Sequence, residues 1–176
     1  LNSGMPMRAW YDILGTDLAR REDEPGLRAG IAQVQALLDR EAARGIAPER
    51  TVLMGFSQGC AMTLLTGLRA PQRLAGLVGL EVDAYGTLGV GEVSGLITVS
   101  EFSGAGAGGL LIDALLGRAR DQGLTRVFAV TVSDEAATFF LHRGFTEVAR
   151  DEVPAGKWEG YHPERLARAR CFNWVL

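Results

Sequence analysis

The chain has 176 residues, 47% of them hydrophobic and 22% charged, enough to bury one sizeable core or two very small ones. Its formal net charge of −3, with Lys and Arg scattered along the sequence, supplies no basic field for nucleic acid or anionic lipid. No apolar run approaches the roughly 18 residues of a membrane helix and no charged-then-apolar signal segment opens the sequence, so a cytoplasmic protein acting on a small molecule, away from membranes, is expected.

Residues 1–16 hold Gly, Pro and aromatic residues without a period and read as an irregular segment. From Pro25 onward, Leu27, Ile31, Val34 and Leu38 recur at helical spacing and Gly45 stands just past the end, which predicts an amphipathic helix. Thr51 to Phe56 is an apolar run of strand length, Ser57-Gln58-Gly59 a tight turn, and Cys60 to Leu68 a buried helix; Leu74 to Leu80 reads as a buried strand. The alternation then continues with a strand over Val90 to Val99, a loop over Gly104 to Gly109, a helix over Leu110 to Gln122 and a strand over Thr125 to Val132. Ser133 or Asp134 caps a helix ending at His142 or Arg143, Phe145 to Val148 is extended, and Arg170 to Leu176 forms a last strand. This predicts an α/β single compact domain with a mixed central sheet. Cys60 and Cys171 lack any CxxC or Cys/His ligand spacing, so buried free thiols are expected, with no disulfide and no metal.

Gly55-Phe56-Ser57-Gln58-Gly59 matches G-x-S-x-G between a strand and a helix. The pattern suits a nucleophilic serine, because so sharp a turn tolerates only small residues two places either side; a purely structural turn is the alternative. Residues 4–13, Gly45 to Arg50 and Gly55 to Met62 together resemble the phospholipase/carboxylesterase family, which includes the acyl-protein thioesterases. The resemblance covers residues 1–80 and implies an α/β-hydrolase fragment in which Ser57 is the nucleophile and the Gln58 backbone N–H is half of an oxyanion hole. The family's triad Asp and His follow the strand that ends near Leu80, where this sequence changes character. Only His142 and His162 are available as bases; the first suits a helix C-terminus and the second an exposed turn, so esterase turnover is expected to be absent or feeble.

The run Ser103 to Gly109 presents glycines ahead of a helix, where converging N–H groups suit a phosphate; a flexible loop is the alternative. Gly104, Gly106 and Gly109 satisfy G-x-G-x-x-G, but Ser100 to Ser103 separate them from the strand, which argues against a dinucleotide fold. Ser94 to Phe102, the glycine spacing and Ala137 to Phe145 resemble the GNAT N-acetyltransferase superfamily over residues about 74–176, and the tail residues Trp158 to Tyr161 and Arg165 to Arg170 resemble its amino-acid N-acetyltransferase branch. That resemblance implies the C-terminal, coenzyme-A-binding half of a GNAT fold over 81–176. Acetyl-CoA or coenzyme A would be the cofactor, its pyrophosphate held at Gly104, Ala105, Gly106, Ala107, Gly108 and Gly109 and its pantetheine along Ile97, Thr98 and Val99. Glu92 reads first as a solvated strand residue and, for an acetyltransferase, is the only nearby candidate base.

The two resemblances meet at Leu74 to Leu80, so a chimera packed as one unit is expected. The leading expectation is an acyl-coenzyme-A-binding N-acetyltransferase; the alternatives are a serine carboxylesterase or thioesterase using Ser57, and a folded chimera without activity. Incomplete strand sets leave open edges, which predicts a homodimer.

Overall fold

In the computed structural model, which describes residues 8–13, 22–98 and 106–176, the first regular element is helix α1, Glu24–Ala43. Asp23 caps it by accepting the Gly26 N–H at 3.0 Å, and Pro25 occupies the first turn, where no intrahelical donor is needed. Strand β1, Val52–Phe56, follows, then helix α2, Gln58–Gly67, and strand β2, Gly76–Glu81. β1 and β2 are parallel, in register from Val52 opposite Gly76 to Phe56 opposite Leu80.

Strand β3, Val90–Thr98, returns antiparallel to β2 with a register irregularity between Leu77 and Gly79. Helix α3, Ala107–Asp121, leads to strand β4, Arg126–Thr131, parallel to β3. Helix α4, Asp134–His142, is capped by the Ser133 hydroxyl and followed by strand β5, Thr146–Val148; helix α5, Pro163–Arg168, leads to strand β6, Arg170–Val175. β6 lies antiparallel between β4 and β5, giving one open mixed sheet in the order β1-β2-β3-β4-β6-β5. The expected mixed α/β sheet is therefore present, and it runs without interruption past residue 80.

Period-two alternation decides which side chains meet on each face. Val127 and Ala129 of β4 join the larger core with Val78, Leu80, Leu111, Ile112, Leu115, Phe140 and Phe172, beneath α3 and α4. Phe128 and Val130 face the other way, with Cys171, Val90, Val153 and Ala84, beneath the short turns Ala84–Gly86 and Arg150–Glu152. Burial of each such aromatic or aliphatic side chain stabilises the fold by about 1.5–3 kcal/mol. α2 covers the second face at the β1–β2 end, where a Cβ on Gly79 would run into Cys60 Sγ. Both cysteines are free and buried, as expected.

At that end the sheet is thinly covered. Among the described residues β1 pairs with β2 alone, and Val52 and Met54 are 41% and 47% exposed. No helix among the described residues is long and apolar enough to cross a membrane.

Two expectations need correcting. α3 starts at Ala107, so Ala107, Gly108 and Gly109 form its first turn and do not belong to a loop. Gly106, at φ 83°, makes the entry turn, and the two glycines let α3 approach Phe139 and the Arg143 guanidinium, so packing overrides their poor helix propensity. Glu92 is not a solvated strand residue: it is 3% exposed, because the turn Ala155–Trp158 folds over it. Val99, Gly104 and Ala105 lie outside the described residues.

Candidate functional site

β1 ends in an abrupt reversal. Ser57 has φ 50° and ψ −125°, a region that non-glycine residues seldom occupy and that costs on the order of 1–3 kcal/mol. The turn is held by backbone: the Ser57 N–H donates to the Leu80 carbonyl of β2 at 2.9 Å, and the Cys60 N–H donates to the Ser57 carbonyl at 2.9 Å. Gly55 is what permits it, because a Cβ there would overlap the Gly59 carbonyl and the Thr63 hydroxyl. Gly59 itself is less constrained, since a Cβ would meet only Trp10 Nε1 at 3.8 Å. Ser57 thus stands at the amino end of α2, where unpaired N–H groups and the helix dipole favour developing negative charge.

Gln58 ties this turn to the amino-terminal segment. Its Oε1 accepts the Trp10 N–H at 3.1 Å and its Nε2 donates to the Tyr11 carbonyl at 3.0 Å. Residues 8–13 consequently wall a cleft of about 860 Å³ lined by Arg8, Trp10, Gln33, Phe56, Ser57 and Gln58. No histidine or carboxylate lines it among the described residues. His142 and His162 are both exposed, at the end of α4 and the start of α5.

A row of polar side chains crosses the same face of the sheet. Glu81 of β2 stands opposite Glu92 of β3, and the Ser94 hydroxyl donates to Glu81 Oε2 at 3.4 Å. Lys157 Nζ donates to Glu92 Oε1 at 2.5 Å, while Glu92 Oε2 is buried without a hydrogen-bond partner. Burial, then the neighbouring Glu92 charge, raises the Glu81 pKa above its ordinary value. Burial, then Glu81, pushes the Cys60 thiol up to about 11, so Cys60 is no thiolate nucleophile at neutral pH. Tyr85 is likewise raised, by burial first and Glu92 next. It sits at φ 55°, with Lys157 Nζ 5.7 Å from its ring centre. Of this row, only Glu92 was singled out from the sequence.

A second cleft, of about 670 Å³, opens where β3 and β4 diverge. Ile97, Thr98, Gly106, Gly108 and Gly109 line it, with Phe139 and Phe140 opposite, so the structure does bring these expected residues together. Glu92 does not line it, and Ser57 lies at the other end of the strands.

Against this geometry, known proteins split by the kind of likeness. A family model described as Phospholipase/Carboxylesterase matches residues 1–129. Acyl-protein thioesterase 1 of Schizosaccharomyces pombe is 47% identical over 79 residues, 45% of this chain and 35% of that protein. The Gibberella zeae protein of the same name is 46% identical over 85 residues, 46% of this chain and 36% of its own. The chain therefore spans about a third of the length of these relatives. Among solved structures, N-acetylglutamate synthase of Neisseria gonorrhoeae, complexed with coenzyme A and N-acetyl-glutamate, superposes with a TM-score of 0.52 at 21% identity, covering 91% of this chain and 34% of that one. That likeness is one of fold. It does not carry the expected acetyltransferase activity, and the family match together with the thioesterase relatives overturns that reading in favour of hydrolysis.

Proposed function

The chain belongs to the phospholipase/carboxylesterase family, and from that we propose that it is a serine hydrolase of carboxylic esters or thioesters in which Ser57 is the nucleophile. One observation carries the reading: a serine held at φ 50° between β1 and α2, in a conformation that a merely structural turn would give to glycine. Ser57 Oγ attacks the acyl carbon, and the Gln58 backbone N–H at the start of α2 opposes the oxyanion that develops. The curated relatives' name favours thioesters as substrates. Since no histidine lines the cleft among the described residues, turnover should lie well below that of a full triad.

The test is hydrolysis of a short p-nitrophenyl ester and of an acyl thioester by the purified chain and by Ser57→Ala. We expect slow turnover that falls at least about 10³-fold in the variant. A rate untouched by the substitution would sink the proposal.

The composite origin, with a join near residues 74–80, belongs to this proposal, as do a cytoplasmic location and a small-molecule substrate. A homodimer is also proposed, supported by the pairing of β1 with β2 alone among the described residues and by its exposed Val52 and Met54. As a binding event separate from the hydrolysis, coenzyme A suits the β3–β4 cleft, whose walls are mostly apolar and whose mouth meets the side-chain-free first turn of α3. Ile97 and Thr98 would flank its stem, with Gly106, Ala107, Gly108 and Gly109 at its phosphates.

A further inference from the structure

The wall that residues 8–13 give to the Ser57 cleft is fastened by the residue next to the nucleophile. Gln58 opens α2, and both ends of its side-chain amide engage that wall. Its Oε1 accepts the Trp10 N–H at 3.1 Å and its Nε2 donates to the Tyr11 carbonyl at 3.0 Å, across 48 and 47 positions of sequence. A further tie comes from α1, where the Asp12 N–H donates to Oδ2 of the capping residue Asp23 at 2.9 Å.

Between these ties the Trp10 ring spans the two helices. A Cβ on Gly30 of α1 would stand 3.7 Å from Trp10 Cε3, and one on Gly59 of α2 would stand 3.8 Å from Trp10 Nε1. The ring lines the same cleft as Ser57, together with Ile13 and Phe56. Trp10 and Ile13 nonetheless stay 37% and 40% exposed, so apolar burial does little of the fastening and the amide does much of it.

We propose that Gln58 is a positioning residue for substrate binding: its side-chain amide holds residues 8–13 in place so that Trp10 grips the acyl group at Ser57. The assignment rests on the serine-hydrolase reading above. One residue then serves the reaction twice, and the two duties separate. The Gln58 main-chain N–H faces charge that develops only in the transition state and so acts on kcat. The amide acts through the wall, on ground state and transition state alike, and so acts on KM. Without the amide, water satisfies the Trp10 N–H and the Tyr11 carbonyl, and the wall detaches for part of the time. The apparent dissociation constant rises in inverse proportion to the fraction that remains in place.

The deciding experiment compares the native chain with Gln58→Met, which keeps the side-chain length and the main-chain N–H but can make neither bond. Hydrolysis of p-nitrophenyl butyrate gives kcat and KM, and with slow chemistry KM approximates the dissociation constant. Deuterium exchange of the peptide spanning residues 8–13 reads the wall directly. Loss of two neutral hydrogen bonds should speed that exchange and raise KM by at least about 5-fold. The kcat should stay within about twofold, because the oxyanion donor is retained. A purely structural Gln58 would lower the melting temperature and leave the KM of the folded protein alone. An unchanged KM, with or without faster exchange, therefore overturns the inference and leaves the hydrolase reading standing. A fall in kcat at constant KM assigns the side chain to the transition state and overturns it too. If the native chain and Ser57→Ala hydrolyse the ester equally fast, the hydrolase reading fails and takes this inference with it. Should Gln58→Met not fold, Trp10→Ala removes the gripping ring from the same wall and must raise KM likewise; an unchanged value overturns the proposal.

Discussion

At the β1 end of the sheet the arrangement is made by backbone, whereas at the β4–β6 end it is made by side chains. Ser57 is fixed by two main-chain hydrogen bonds and a glycine that clears the path of another carbonyl, and beside it Val52 and Met54 remain exposed. Phe128, Phe172, Val127 and Cys171, by contrast, are at most 1% exposed between two covered faces. The difference explains why sequence likeness and fold likeness point to different proteins. A backbone-determined turn demands particular residues over a short stretch, so its family can be read from a pentapeptide and its neighbours. A packed sheet demands only apolar residues at the right parity, so its relatives share shape at 21% identity.

The sharpest way to break this comparison is to put side chains where backbone must pass. Gly55→Val should cost about 4 kcal/mol or more, or prevent folding, whereas Gly59→Ala, whose Cβ would make only an ordinary contact with Trp10 Nε1, should cost about 1 kcal/mol or less. Chemical denaturation reads both, and equal losses would mean that the turn is not set by the overlap at Gly55. Next in size is the ion pair that ties β3 to the turn Ala155–Trp158. Lys157→Met leaves Glu92, 4% exposed at its side chain, as a buried charge without its cation; about 3 kcal/mol should be lost, a fall of roughly 6–10 °C in melting temperature. A fall of a degree or less would show the pair to be energetically idle. The smallest effect concerns the second cleft: coenzyme A at ten times its dissociation constant should stabilise by about 1.4 kcal/mol, an upward shift of a few degrees. A flat melting curve at millimolar ligand would leave that cleft as packing space only.

Most of the fold was legible because its elements carry one period each. Glu24–Ala43, Arg126–Thr131 and the Ser133-capped α4 lie where their caps and apolar spacing put them. The first turn of α3 was not, since Ala107, Gly108 and Gly109 are poor helix formers held by Phe139 and Arg143, contacts that no local pattern reveals. α5 was missed for a similar reason: Pro163–Arg168 is short and polar, with no buried face to announce it. Within the site, Ser57 was plain from its glycines. Glu81 and Lys157 were hidden, because one depends on the register of β2 against β3 and the other on a turn arriving from 65 positions away in sequence.

The φ of Ser57 has a consequence for how such a chain withstands heat. Glycine occupies that backbone region without penalty, so replacing the serine with it would relax the strained turn between β1 and α2 while removing its hydroxyl. Under pressure for robustness alone, drift at position 57 would run toward glycine and leave an inert, hardier protein. The serine therefore marks the place where thermal endurance and reactivity pull against each other, and where improving one by a single substitution must surrender the other.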